Sequence, residues 1–126
     1  MMSDGTVKVI GAGLAGCEAA YAASRLGVSV DLYEMKPHKK SPAHHSDLFG
    51  ELVCSNSLKA DRISTTAGLL KAEMRRFGSV CLKAAETCSV PAGGALAVDR
   101  YAFSDYITLV IKEHPNIDVI SETVSC

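Results

Sequence analysis

The sequence predicts an α/β domain built on a parallel sheet, on three consecutive observations. Thr6 to Ile10 is β-rich and apolar at Val7, Val9 and Ile10, and it runs directly into Gly11-Ala12-Gly13-Leu14-Ala15-Gly16. Leu14 to Leu26 is mostly alanine and leucine, strong helix formers, and Gly27 stands where a left-handed residue usually ends a helix. Val28 to Glu34 then alternates apolar and polar residues, as a half-buried strand does, and closes on an acid. Strand, helix and strand in about 30 residues form a βαβ unit, whose strands must be parallel because the helix crosses over between them. With glycines in this order the expected class is a Rossmann-like FAD/NAD(P)-binding domain.

The rest of the chain follows in order. Met35 to Asp47 shifts to Lys, His, Ser and Pro, with Pro37 and Pro42 disfavouring helix, and reads as an exposed loop. Glu51 to Ser57 turns from apolar to small and polar, a short element opening into a loop whose type stays open. From Ala67 to Phe77, Leu70, Met74 and Phe77 fall at i, i+4 and i+7 with Lys71, Arg75 and Arg76 on other faces, which predicts an amphipathic helix. A further helix is expected over Ser79 to Thr87, and an extended stretch from Pro91-Ala92-Gly93-Gly94 through Val98, ending at Asp99 or Arg100. Phe103, Tyr106, Ile107, Val110 and Ile111 form another helical stripe, and Ile117 to Val124 reads as a strand.

Composition bounds the function classes. At 126 residues, 48% hydrophobic and 21% charged, the chain matches one globular core and excludes disorder, collagen and coiled coil. Its longest run free of charge and strong polarity, Val9 to Cys17, is far short of the roughly 20 residues a membrane span needs. No secretory signal is visible from Met1 to Gly5, so the expected location is cytoplasmic and no membrane partner is expected. Five scattered cysteines fit free thiols in a reducing compartment. Formal net charge is −1, but between residues 36 and 100 ten Lys/Arg oppose six Asp/Glu, and three of the four histidines lie there too. A polyanionic partner would meet that block.

Gly11-x-Gly13-x-x-Gly16 between a strand and a helix is a dinucleotide fingerprint. The first glycine permits the turn, the second lets backbone approach a pyrophosphate, and the third lets helix and strand pack closely. Glu34, 18 residues after Gly16, can accept from a ribose 2′-hydroxyl and favours an unphosphorylated adenosine ribose, as in FAD or NAD. Cys54 sits in the small polar run Cys54-Ser55-Asn56-Ser57 and is a candidate nucleophile, although spacing alone favours an inert packed thiol. Cys17, Cys81 and Cys88 read as packing, and nothing resembles a zinc or redox pair. His44-His45, being adjacent, make a poor chelating pair, so no metal is expected and a loop or cofactor contact is the better reading. Lys71, Arg75 and Arg76 read first as a solvated face and second as phosphate-binding. Asp99-Arg100 reads as a helix cap or an ion pair.

Taken together these segments resemble one family, the folate- and FAD-dependent tRNA (uracil-5-)-methyltransferases of bacteria. The resemblance runs through Val9 to Gly16, Asp31-Leu32-Tyr33-Glu34-Met35, Pro42-Ala43-His44-His45, Glu51 to Ser57, Glu73-Met74-Arg75-Arg76 and Cys88 to Arg100. The glycine pattern is common to many flavoproteins; the Cys54 segment and Pro91-Ala92-Gly93-Gly94-Ala95-Leu96-Ala97-Val98-Asp99-Arg100 are far more specific. Cys17 and Cys81 replace an expected serine and an expected aliphatic residue.

The resemblance implies an N-terminal fragment. Residues 1–126 would be part of an FAD-binding domain carrying a basic loop and helix insertion at about 36–100. It implies FAD as cofactor on Gly11, Ala12, Gly13, Leu14, Ala15, Gly16 and Glu34, with 5,10-methylenetetrahydrofolate and NAD(P)H as co-substrates and tRNA, not DNA, as partner. Cys54 would take part in catalysis, by attack on uracil C6 or by proton handling, and Arg75 and Arg76 are candidate tRNA contacts. Two alternatives stand beside it: the FAD-dependent tRNA wobble-uridine modification family, and a non-enzymatic Rossmann nucleotide-sensing module, which needs neither Cys54 nor a basic middle block.

Overall fold

The computed structural model describes residues 5–125; Met1 to Asp4, over most of which the absence of a leader was read, and Cys126 lie outside the described residues. Two sheets organise the chain. In the first, β1 (Thr6–Ile10), β2 (Ser29–Glu34) and β6 (Ile117–Ser121) run parallel with β2 in the centre, and Leu32 is paired with Val9 on one side and Val119 on the other. The crossovers are α1 (Leu14–Arg25), between β1 and β2, and α4 (Arg100–Glu113), which leads into β6. Between β2 and α4 lie β3 (Ser57–Ala60), α2 (Thr66–Arg76), α3 (Val80–Thr87), β4 (Ser89–Val90) and β5 (Ala95–Val98), with the three strands forming a small antiparallel sheet in the order β3-β5-β4.

The alternation in β2 settles which face of the parallel sheet is covered. Val30, Leu32 and Glu34 are buried, and Val30 and Leu32 share a core with Cys17 and Ala20 of α1 and Phe103, Ile107 and Ile111 of α4. The intervening Ser29, Asp31 and Tyr33 are more exposed, as is Lys8 beside them on β1. Among the described residues strand β1 is also an edge. Val7 is 42% and Ile10 67% exposed, unusual in a parallel sheet, whose strands are normally enclosed on both faces.

Small residues let α1 approach the sheet. A Cβ on Gly16 would stand 1.7 Å from the carbonyl oxygen of Gly11, so only glycine fits there. The later helices carry their own start signals. Thr65, Ser79 and Asp99 each accept a backbone N–H of the first turn of α2, α3 and α4, satisfying a donor that the helix itself leaves free. Asp99 is thus a cap, as one of its two readings had it. Glu18 of α1 adds to the start of α3, accepting from the Ser79 hydroxyl and from Val80 N at 3.0 Å, which ties the two helices together.

Four sequence expectations change. The Leu70-Met74-Phe77 stripe meets the core only through Met74, which is half-buried against it: Leu70 is 57% and Phe77 84% exposed. Gly68 packs on the loop that leads into α2, where a Cβ would meet Arg62 O at 1.8 Å, and Lys71, expected on a solvated face, is buried with its ammonium donating to Ala60 O of β3. The segment around Cys54 stays irregular until β3, a strand the sequence did not announce. The extended stretch ends at Val98 as expected but starts later, since residues 91–94 turn between β4 and β5, which pair with Ser89 opposite Val98. The last strand ends at Ser121, three residues short, because Glu122, Thr123 and Val124 leave the sheet for the site described next. Among the described residues no helix is long and apolar enough to cross a membrane.

Candidate functional site

The C-terminal ends of β1 and β2 open into a cavity of about 260 Å³, the place where open α/β sheets bind ligands. The turn after β1 forms its floor. Gly11 has φ +95°, a left-handed value that side chains resist, and its N–H donates to Tyr33 O at 2.7 Å, binding the turn to the end of β2. Gly13 caps α1, and a Cβ there would meet nothing within 4 Å, so the space beside it belongs to the cavity.

The start of α1 contrasts with the other three helices. Its cap supplies no side-chain oxygen where Thr65, Ser79 and Asp99 supply one to the others, while its first turn, like theirs, holds no acid. The free N–H groups and the positive end of the helix dipole are therefore available to an anion. Glu34 is buried and oriented: Oε1 accepts from Ala12 N at 2.8 Å and Oε2 from Lys36 N at 3.0 Å. Each carboxylate oxygen can still accept once more, which suits a pair of ribose hydroxyls. An uncapped helix start, a glycine with room beside it and a buried, aimed carboxylate fit a dinucleotide.

The structure adds a group that the sequence did not connect to this site. Lys36 is only 4% exposed; its ammonium donates to Leu48 O and lies 3.6 Å from Glu51 Oε1. Glu51 in turn accepts from His45 N at 2.8 Å and Ser46 N at 3.1 Å. Burial pushes the Glu51 carboxyl up, but those two N–H groups, Lys36 and His44 together hold it below the ordinary carboxylate range. The clasp is therefore complete at neutral pH and loosens only as acid protonates Glu51 through that lowered pKa. Gly50 N donates to Ala12 O at 2.8 Å, joining the loop's far end to the glycine turn. Lys36, His44, Glu51 and the Glu122–Val124 segment all line the cavity. Spacing alone could not signal this, since the contacts span different elements.

The other candidates lie elsewhere. Gly16 serves packing, while Leu14 and Ala15 also line a separate apolar cavity with Lys71, Met74 and Cys81. Arg75 donates to Asp61 at 2.6 Å and to Glu86 at 2.5 Å, and these two partners raise its pKa; Arg76 is exposed. Cys54 is exposed, not packed as spacing alone had favoured. Burial pushes Cys17 up to about 12, with Glu34 and Glu18 adding to the rise, and burial raises Cys81 further still. Brief treatment with iodoacetamide near neutral pH should therefore label Cys54 well before Cys17 or Cys81, as peptide mass mapping would show. Equal labelling of the three would contradict the burial and exposure just described.

Comparison with known proteins agrees with the fold and extends it. A family model described as glucose inhibited division protein A matches residues 6–126. A methylenetetrahydrofolate–tRNA-(uracil-5-)-methyltransferase TrmFO of Bacillus cytotoxicus is 56% identical over 124 residues, covering 98% of this chain and 29% of that protein. The protein of the same name from Lysinibacillus sphaericus is 57% identical over 124 residues, covering 98% of this chain and 28% of the relative. The chain thus spans less than a third of the length of these relatives. Among solved structures, Aquifex aeolicus GidA superposes with a TM-score of 0.74 at 21% identity, covering 94% of this chain and 20% of that one, which shows the shared fold. With a family model matching it from Thr6 onward, the chain belongs to the glucose inhibited division protein A family.

Proposed function

We propose that this chain is the N-terminal, FAD-binding part of a cytoplasmic folate-dependent tRNA (uracil-5-)-methyltransferase. The carrying observation is that relatives of that name share more than half of its residues over 98% of its length. The cavity at the ends of β1 and β2 supports the cofactor assignment: the start of α1 would take the pyrophosphate and Glu34 the adenosine ribose. The flavin would supply the redox chemistry that turns a methylene carried by 5,10-methylenetetrahydrofolate into a methyl group, with NAD(P)H as reductant. What this chain contributes is binding and orientation of that cofactor, together with an exposed thiol at Cys54 for the uracil. No metal enters the proposal.

The direct test expresses the full reading frame that carries this chain, records its visible absorption and assays 5-methyluridine in unmodified tRNA. A flavin spectrum and methylation at C5 in the T-loop are expected. A flavin-free, inactive protein would return the chain to a nucleotide-sensing role, and modification at the wobble uridine instead would favour the alternative tRNA family.

Recognition of tRNA would fall on the basic middle block, and its two candidate arginines, Arg75 and Arg76, should differ. Arg76 is exposed, so Arg76→Ala should weaken tRNA binding and lower the salt slope by about one, the signature of one phosphate contact. Arg75 is held by Asp61 and Glu86, so Arg75→Ala should loosen the α2–α3 region with little change in slope. Affinities measured over a series of salt concentrations separate the two, and an unchanged slope for Arg76→Ala would assign Arg76 to a solvated face.

A further inference from the structure

We propose that His44 is a nucleotide-binding residue of the dinucleotide site, and that Ser41 and the buried Lys36–Glu51 pair are there to position it. The inference rests on the dinucleotide reading above and deepens it. His44 lines the same cavity as Gly11, Gly13 and Glu34, although it belongs to a loop with no regular structure. A ring on such a loop would ordinarily wander. Here the ring has a partner and the backbone that carries it is anchored by Ser41 and Glu51. Nδ1 lies 2.6 Å from the Ser41 hydroxyl, and the backbone N–H of His44 donates to Ser41 O at 3.1 Å. The following two residues donate their N–H groups to Glu51, and Glu51 is itself held by Lys36.

Lys36 sets this loop apart from a solvated one. Its ammonium is almost wholly removed from water, a costly placement for a charge unless it is paired and hydrogen-bonded. Its backbone N–H holds Glu34 while its ammonium holds Glu51, so one residue couples the ribose-directed carboxylate to the His44 loop. With Nδ1 committed to Ser41, the other ring nitrogen, Nε2, has no protein partner among the described residues. It is the group left to meet an oxygen of the adenosine half, a ribose hydroxyl or a phosphate.

The test uses flavin-stripped protein made from the full reading frame and titrates it with FAD and with ADP, which keeps only the adenosine diphosphate half. His44→Ala should weaken both about tenfold, the scale of losing one such hydrogen bond, without shifting the thermal midpoint of the ligand-free protein. His44→Gln, which retains a side-chain donor, should recover most of the affinity. Glu51→Gln should also weaken both ligands, but should add little in the His44→Ala background, because it acts through that ring. Unchanged ADP affinity in His44→Ala, or additive losses in the double variant, would overturn the proposal. Wild-type protein that binds neither FAD nor ADP would instead overturn the dinucleotide reading itself, and the His44 role with it.

Discussion

Gly13→Val and Gly16→Val are expected to fail in different ways. At Gly16 any Cβ enters the carbonyl of Gly11 at 1.7 Å, and both partners are backbone, so neither can rotate aside. The helix must lift from the sheet over Cys17 and Ala20, both fully buried. Clashes of this kind belong to the small class of substitutions costing more than about 4 kcal/mol, against a total stability of about 5–15 kcal/mol for a typical domain. Gly16→Val should therefore give little folded protein, seen as loss of the cooperative thermal transition. At Gly13 a Cβ meets nothing within 4 Å and φ is −78°, which valine can adopt. Gly13→Val should fold, yet its side chain would occupy the space proposed for the pyrophosphate and weaken FAD by at least about 100-fold, some 2.8 kcal/mol. Unchanged flavin content in folded Gly13→Val would remove this cavity from consideration as the dinucleotide site.

The second large effect concerns turnover. In the full-length protein with the activity proposed above, Cys54→Ser preserves size but replaces a thiol by a much weaker nucleophile at neutral pH. Cys54 is exposed and absent from the buried core, so flavin content and thermal midpoint should hold. Formation of 5-methyluridine should drop by about 10² or more, whether the thiol attacks uracil C6 or handles a proton. Cys17→Ser, Cys81→Ser and Cys88→Ser should act through packing, with milder losses of rate. Near-normal methylation by Cys54→Ser would make the thiol incidental, and loss of flavin together with activity would place it in the cofactor pocket.

Local chemistry explains which parts of this fold were legible in the sequence. The β1–α1–β2 unit could be read because glycine order, alanine content and period-two alternation all act within a few residues of one another. Asp99, too, caps the helix beside it. The reading of α2 went astray because helical periodicity finds an apolar stripe without saying what the stripe meets. Here Met74 and the buried Lys71 turn inward, and Leu70 and Phe77 are left outside. The short strands β3 and β4 carry no hydrophobic pattern of their own and exist by pairing with β5. In the candidate site, Gly11, Gly13 and Glu34 were legible from spacing. Lys36 and Glu51 were not, because a lysine between methionine and proline reads as solvated until the fold buries it against residues 12 to 15 positions away.

The edge position of β1 has a consequence for how this chain behaves in a crowded solution. A strand with one unpaired flank offers a row of N–H and C=O groups that any extended peptide can zip onto, and this one also exposes Val7 and Ile10. Natural proteins guard such flanks with charge, prolines or a covering segment, and within β1 the only charged residue is Lys8. Alone, the chain therefore carries its own template for aggregation, held in check by a short five-residue strand and a single lysine. A strand added on that flank would satisfy the open N–H and C=O groups and cover Val7 and Ile10 in one step.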